Sequence, residues 1–183
     1  MIFKVKKEMP CQYFSPDTAS SMIFSNTLNY YITCANKQHD NIILLCIGTD
    51  KITGDCLGPL VGSKLQKMNF SYPLYGTLEN PLHACNLSEQ LIQINKKHPN
   101  PFILVIDAAV GSKSHIGFVS LSCSPLSPGK GVNHPLASIG NISITGIVNE
   151  FSSTSDLLLP YTSLHLVNNL ADYICNGIVS ALG

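Results

Sequence analysis

The segment "CIGTDKITGDCLGP", Cys46 to Pro59, sets Asp50 and Asp55 five positions apart in a glycine-punctuated loop. A third acid, Asp107, closes the apolar run "PFILVID" about fifty residues later. If two of these carboxyls meet, they cannot both ionise cheaply, so one holds a proton near neutral pH. Such a pair can activate water and protonate a leaving amine. The same oxygens would equally suit a hard divalent cation. A third reading is plainer: Asp50 and Asp55 as turn or cap residues, and Asp107 as a strand-end cap.

Two apolar stretches would bring Asp55 and Asp107 together. "NIILLCIG" and "PFILVIDAAVG" are short continuous runs of the kind found in strands buried on both faces. In open α/β sheets, ligands bind where loops diverge from the carboxyl ends of such strands. Helices are expected from about Pro16 to Asn36, Gly58 to Met68, Ala84 to Lys97 and Thr162 to Ala181. Short strands are expected at "YPLYGT", Gly117 to Ser122 and Ile142 to Val148. The alternation predicts a three-layer α/β/α sandwich around a mostly parallel or mixed sheet. In the last helix, Leu164, Val167, Ala171, Ile174 and Ile178 read as a core-facing stripe.

At 183 residues the chain is the size of one domain with its own core. Only 12% of residues are charged and the formal net charge is +0, so there is no basic field for nucleic acid or an anionic membrane. Seven irregularly spaced cysteines with no C-x-x-C disfavour a disulfide framework or zinc ribbon and suit a reducing, cytoplasmic setting. No secretory leader and no span of bilayer length is expected. Neither a phosphate-loop spacing nor a G-x-S-x-G elbow occurs.

Cys56 beside a helix N-terminus raises the idea of a low-pKa thiolate, with His134 or His83 as base, against a small packed residue. The positive end of the helix at Pro59 would favour the ionised form of Asp55. Asp107, after six apolar residues, is expected to be the more buried acid and the one that keeps the proton.

The motifs "IGTDKITGDCLGPLVGSKL", "VIDAAVG" and "SPGKGVNHPLASIGNISITGIVN" follow one another in order. In this the chain resembles the sporulation protein YyaC family, relatives of the bacterial spore germination protease and, more distantly, of hydrogenase maturation proteases. The resemblance covers about Ile42 to Ala181. It implies a germination-protease-like α/β core over 41–183 preceded by an N-terminal helical extension over 1–40. It also implies an aspartic-type peptidase in which "TGDCLGP" supplies Asp55 and "VIDAA" supplies Asp107 as the catalytic pair. Asp50, Thr49, Gly129, Gly131 and His134 would then contact substrate, and no residue is assigned to a metal. The chain departs from the wider pattern at Thr49, where Asn is frequent, and at Ser127, where the protease has His. The implied substrate is a peptide or small spore protein in the cytoplasm of a sporulating cell, mother cell or forespore, with no cofactor; a homo-oligomer is left open. The alternative is a catalytically silent sporulation protein that binds a peptide or regulator in the same pocket.

Overall fold

The computed structural model describes residues 9–36, 41–127, 138–152 and 158–183. In chain order the elements are β1 (Gln12–Phe14), α1 (Thr18–Ala35), β2 (Ile42–Cys46), α2 (Leu57–Lys67), β3 (Leu74–Tyr75), α3 (Leu87–Lys97), β4 (Phe102–Gly111), β5 (Val119–Ser122), β6 (Ile142–Glu150) and α4 (Leu164–Leu182). The strands form one six-stranded sheet in the order β1-β5-β6-β4-β2-β3. Its centre is parallel, with β2 beside β3 and β4, and β4 beside β6. The pairs β5–β6 and β1–β5 are antiparallel, so the sheet is mixed.

Alternation along the strands explains the continuous apolar runs. Ile42, Leu44, Cys46, Leu104 and Ile106 join a core with Phe24, Leu28 and Ile32 of α1, Val61 and Leu65 of α2, and Val167, Ala171 and Ile174 of α4. Ile43, Leu45, Ile47 and Val105 face the other way, onto Leu87 and Ile94 of α3. A strand covered on both faces needs apolar residues at every position. Among the described residues the result is a sheet between one layer of α1, α2 and α4 and another formed by α3.

Several boundaries differ from the sequence reading. α1 starts at Thr18 rather than at Pro16, because Asp17 caps it, its Oδ1 accepting from the N–H of Ser20 at 2.8 Å. The third helix begins at Leu87, after a turn in which the N–H groups of Asn86 and Leu87 both donate to the carbonyl of His83. Leu164 is 61% exposed while Val167, Ala171, Ile174 and Ile178 are fully buried; at the first turn of α4, it lies beyond the edge of the core. The edge strand β1 is too short to carry a period-2 signal and was not expected.

No disulfide joins any of the seven cysteines. Among the described residues no helix is long and apolar enough to cross a membrane.

Candidate functional site

The site is built where the chain leaves β2. The N–H of Ile47 donates to the carbonyl of Ile106 at 2.7 Å, which extends the pairing with β4 by one residue. The N–H of Gly48 donates to the carbonyl of Leu82 at 2.8 Å, and Ile47 bridges Leu82 in parallel. The backbone of Gly48 has φ +137°, and a Cβ there would stand 2.0 Å from the carbonyl oxygen of Asp55. Only glycine fits that conformation and that approach. The loop then turns through Thr49 to Lys51 into a 3-10 turn, Thr53–Asp55, that runs directly into α2.

Asp55 is held by the loop it terminates. The N–H of Thr49 points at its Oδ2 at 3.0 Å and at its carbonyl oxygen at 3.2 Å. The Thr49 hydroxyl accepts from the N–H of Lys51 at 3.3 Å, so both polar groups of Thr49 shape the loop. Asp50 is exposed at the turn, and its negative charge helps to raise the Cys56 thiol.

Asp107 lies in β4, one residue past Ile106, in register with Thr145 of β6. Because Val105 faces the α3 side, the alternation of the strand puts Asp107 on that face too. Its Oδ1 accepts from the N–H of Ala108 at 2.8 Å. Beside it on the same face, the hydroxyls of Thr145 and Ser120 are buried and hydrogen-bonded to each other at 2.6 Å. The 3-10 turn bearing Asp55 packs against β4.

Burial governs both acids. It pushes Asp55 up to about 6, against the opposing pull of the Thr49 N–H and the positive charge of His83. Asp107 is raised well above the usual carboxylate range, first by burial and then by the negative charge of Asp55, with the Ala108 N–H opposing. Asp107 retains some accessible surface as a residue, yet desolvation of its carboxyl dominates. The pair can therefore carry one proton between them, with Asp107 the stronger holder. The α2 N-terminus, expected to favour the ionised form of Asp55, is a modest influence, and loss of water outweighs it in raising the pKa, which at about 6 still leaves Asp55 largely ionised at neutral pH.

Cys56 is not an activated thiolate. It is buried, its Sγ donates to the carbonyl of Thr53 at 3.1 Å, and burial with the charge of Asp55 raises its pKa. A thiol so placed is a packed residue.

Gly129, Gly131 and His134 lie outside the described residues. Of the described residues to either side, Leu126 and Ile139 form an antiparallel bridge, and Ile139 packs with Val105 on the face that carries Asp107. Among the described residues no group of three His, Cys, Asp or Glu side chains is arranged to hold a metal ion.

His83, weighed only as a base for Cys56 and not among the expected substrate contacts, has a charge that reaches Asp55. The N–H of His83 donates to the Asn86 side chain at 2.9 Å, and the Asn86 amide donates to the carbonyl of Pro81 at 3.0 Å. Asn three positions after His in "PLHACN" was the available signal for an ordered turn.

Residues 12–177 match the family described as "Protein of unknown function (DUF1256)". The chain belongs to this family. The uncharacterized protein YyaC of Bacillus subtilis (strain 168) is 41% identical over 138 residues, which are 75% of this chain and 67% of that protein. The family match starts at Gln12, so it takes in β1 and α1, which the motif resemblance had left out. A crystal structure of the nickel-iron hydrogenase maturation protease HycI from Thermococcus kodakarensis KOD1 aligns with TM-score 0.45 and 15% identity, over 84% of this chain and 99% of that one. A likeness so remote carries nothing about chemistry.

Proposed function

We propose that this member of the YyaC family is an aspartic-type peptidase of sporulation, acting on a peptide or small spore protein in the cytoplasm of the mother cell or forespore. The observation that supports it is the inequality of the two carboxyls: Asp55 raised to about 6 and Asp107 raised further, partly by Asp55 itself. Perturbed acids of this kind, near enough at the carboxyl ends of parallel strands for the charge of one to raise the other, are what acid–base chemistry near neutral pH requires. The sporulation setting rests on the motif resemblance.

In this reading ionised Asp55 takes a proton from water as the water oxygen attacks the peptide carbonyl carbon. Asp107 gives its proton to the amide nitrogen as the C–N bond breaks. The products are a carboxylic acid and an amine; transfer of the proton from Asp55 to Asp107 resets the pair.

The test is incubation with casein and with small acid-soluble spore proteins, with and without divalent ions, beside the Asp55→Asn/Asp107→Asn double variant. Cleavage by the wild type alone is expected. Peptide binding without cleavage in either protein would replace the peptidase by the silent binding protein.

A further inference from the structure

A cleft of about 480 Å³ lies over the outer edge of the sheet, beside β3 and between α2 and α3. Its size is within the range of small-ligand sites, roughly 300–1,000 Å³. We propose that this cleft binds an extended peptide segment along the free edge of β3 and delivers it past His83 to the carboxylate pair. The inference deepens the peptidase reading by naming how substrate is held, and it rests on that reading only for the chemistry that follows binding.

Three observations carry it. First, β3 ends the sheet order and pairs with β2 alone among the described residues. An unpaired edge is a template for an added strand. Two residues of strand offer few main-chain bonds, so other groups must complete recognition.

Second, the cleft supplies such groups. Gln66 of α2 and Gln90 of α3 line it from opposite sides, with Thr77 and Asn80 from the intervening loop. The side chains of Gln66 and Gln90 take no hydrogen-bond partner among the described residues, and Gln90 is half-buried. A carboxamide donates and accepts, as a peptide group does, so exposed Gln66 and half-buried Gln90 are open to exchange water for the main chain of a bound segment. The Tyr75 hydroxyl meets Nε2 of His98, just past α3, at 2.8 Å, which ties β3 to the end of α3. Exposed Glu79 is the one carboxylate of the lining, which favours a basic over an acidic side chain in the segment.

Third, one end of the cleft, at Leu82 and His83, adjoins the loop that carries Asp55. His83 is both a lining residue and the neighbour of Leu82, whose carbonyl fixes Gly48. Gly48 in turn touches the backbone of Asp55. His83 is thus the junction between the peptide-binding edge and the loop that presents Asp55.

The test uses fluorescein-labelled decapeptides of Gly, Ser and Asn with a central Lys, Leu or Glu, and the Lys peptide N-methylated on three central amides. Fluorescence anisotropy with the wild-type protein should rank Lys above Leu above Glu. N-methylation, which removes the donors, should weaken binding about tenfold or more, the equivalent of roughly 1.4 kcal/mol. Gln66→Ala/Gln90→Ala, with an unchanged Tm, should do the same. His83→Gln should weaken binding no more than the paired glutamine substitutions do and should move the acidic limb of any cleavage profile upward in pH, because the charge that lowers the Asp55 pKa is lost. Equal binding of the methylated and unmethylated peptides, or no binding of any peptide, would overturn the cleft proposal while leaving the carboxylate pair to be judged by cleavage. Binding that behaves as described in a protein that cleaves nothing would keep the cleft and remove the peptidase.

Discussion

Asp55 and Asp107 differ in what surrounds each carboxylate, and their roles follow from that difference. Asp55 accepts the Thr49 N–H and feels the His83 charge, both of which partly offset its burial. Asp107 has one backbone donor and the negative charge of its neighbour. Cleavage should therefore rise as pH passes about 6, where Asp55 becomes the base, and fall at higher pH, where Asp107 loses its proton. A pH–rate profile checks this. Asp107→Asn keeps the shape and removes the transferable proton; kcat should fall by roughly 10²–10⁴-fold, the range for loss of acid–base catalysis, with a thermal midpoint at neutral pH no lower than wild type. This ranking was legible in the sequence because six apolar residues lead into Asp107. The raised pKa of Asp55 was not, since local order put it beside a helix start while only tertiary packing shows how little water reaches it.

The loop between β2 and α2 is the element on which the site depends. Gly54 stands immediately before Asp55, and a Cβ there would lie 2.7 Å from Oγ1 of Thr162 and 2.8 Å from the carbonyl oxygen of Leu159. The backbone carbonyl cannot move aside without its whole turn, so Gly54→Ala should displace the 3-10 turn. Overpacking of this kind costs about 1–3 kcal/mol, and misplacing Asp55 should reduce cleavage by more than stability alone suggests. Differential scanning calorimetry should show a fall of several degrees, while cleavage drops tenfold or more. A full retention of both would mean that the turn is slack. β2 and β4 were readable as elements because burial on two faces leaves an unbroken apolar signature. The order of strands was not readable: β5 and β1 reach the sheet by antiparallel pairing, and nothing in three residues of β1 announces a partner more than a hundred positions away.

At the scale of the molecule, two raised carboxyls make stability depend on pH in an uncommon direction. Each folded-state pKa lies above its unfolded value, so the native state holds protons that the unfolded chain releases. The stability this contributes is complete below about pH 4 and is lost as pH rises, through about 6 for Asp55 and further up for Asp107. For Asp55 the loss amounts to about 2–3 kcal/mol. Urea unfolding from pH 4 to 8 should show this decline superposed on the other titrations, and Asp55→Asn/Asp107→Asn should flatten it; an identical slope in the variant would contradict it. The layered α/β/α arrangement could be read from the alternation of elements. That the loop after β2 would approach Asp107 of β4 could be read as well, from two buried strands whose carboxyl ends share an edge; that His83 before α3 would join them could not, because it arises from the pairing of Ile47 with Leu82 rather than from spacing along the chain. The central claim is that one proton is shared unequally between Asp55 and Asp107. Carboxyl-carbon NMR of aspartate-labelled protein, titrated in wild type and in Asp55→Asn, tests it most directly. The account predicts an Asp107 signal still protonated at neutral pH and a midpoint that falls when the Asp55 charge is removed. Two independent titrations near the ordinary aspartate value, unmoved by the substitution, would contradict it.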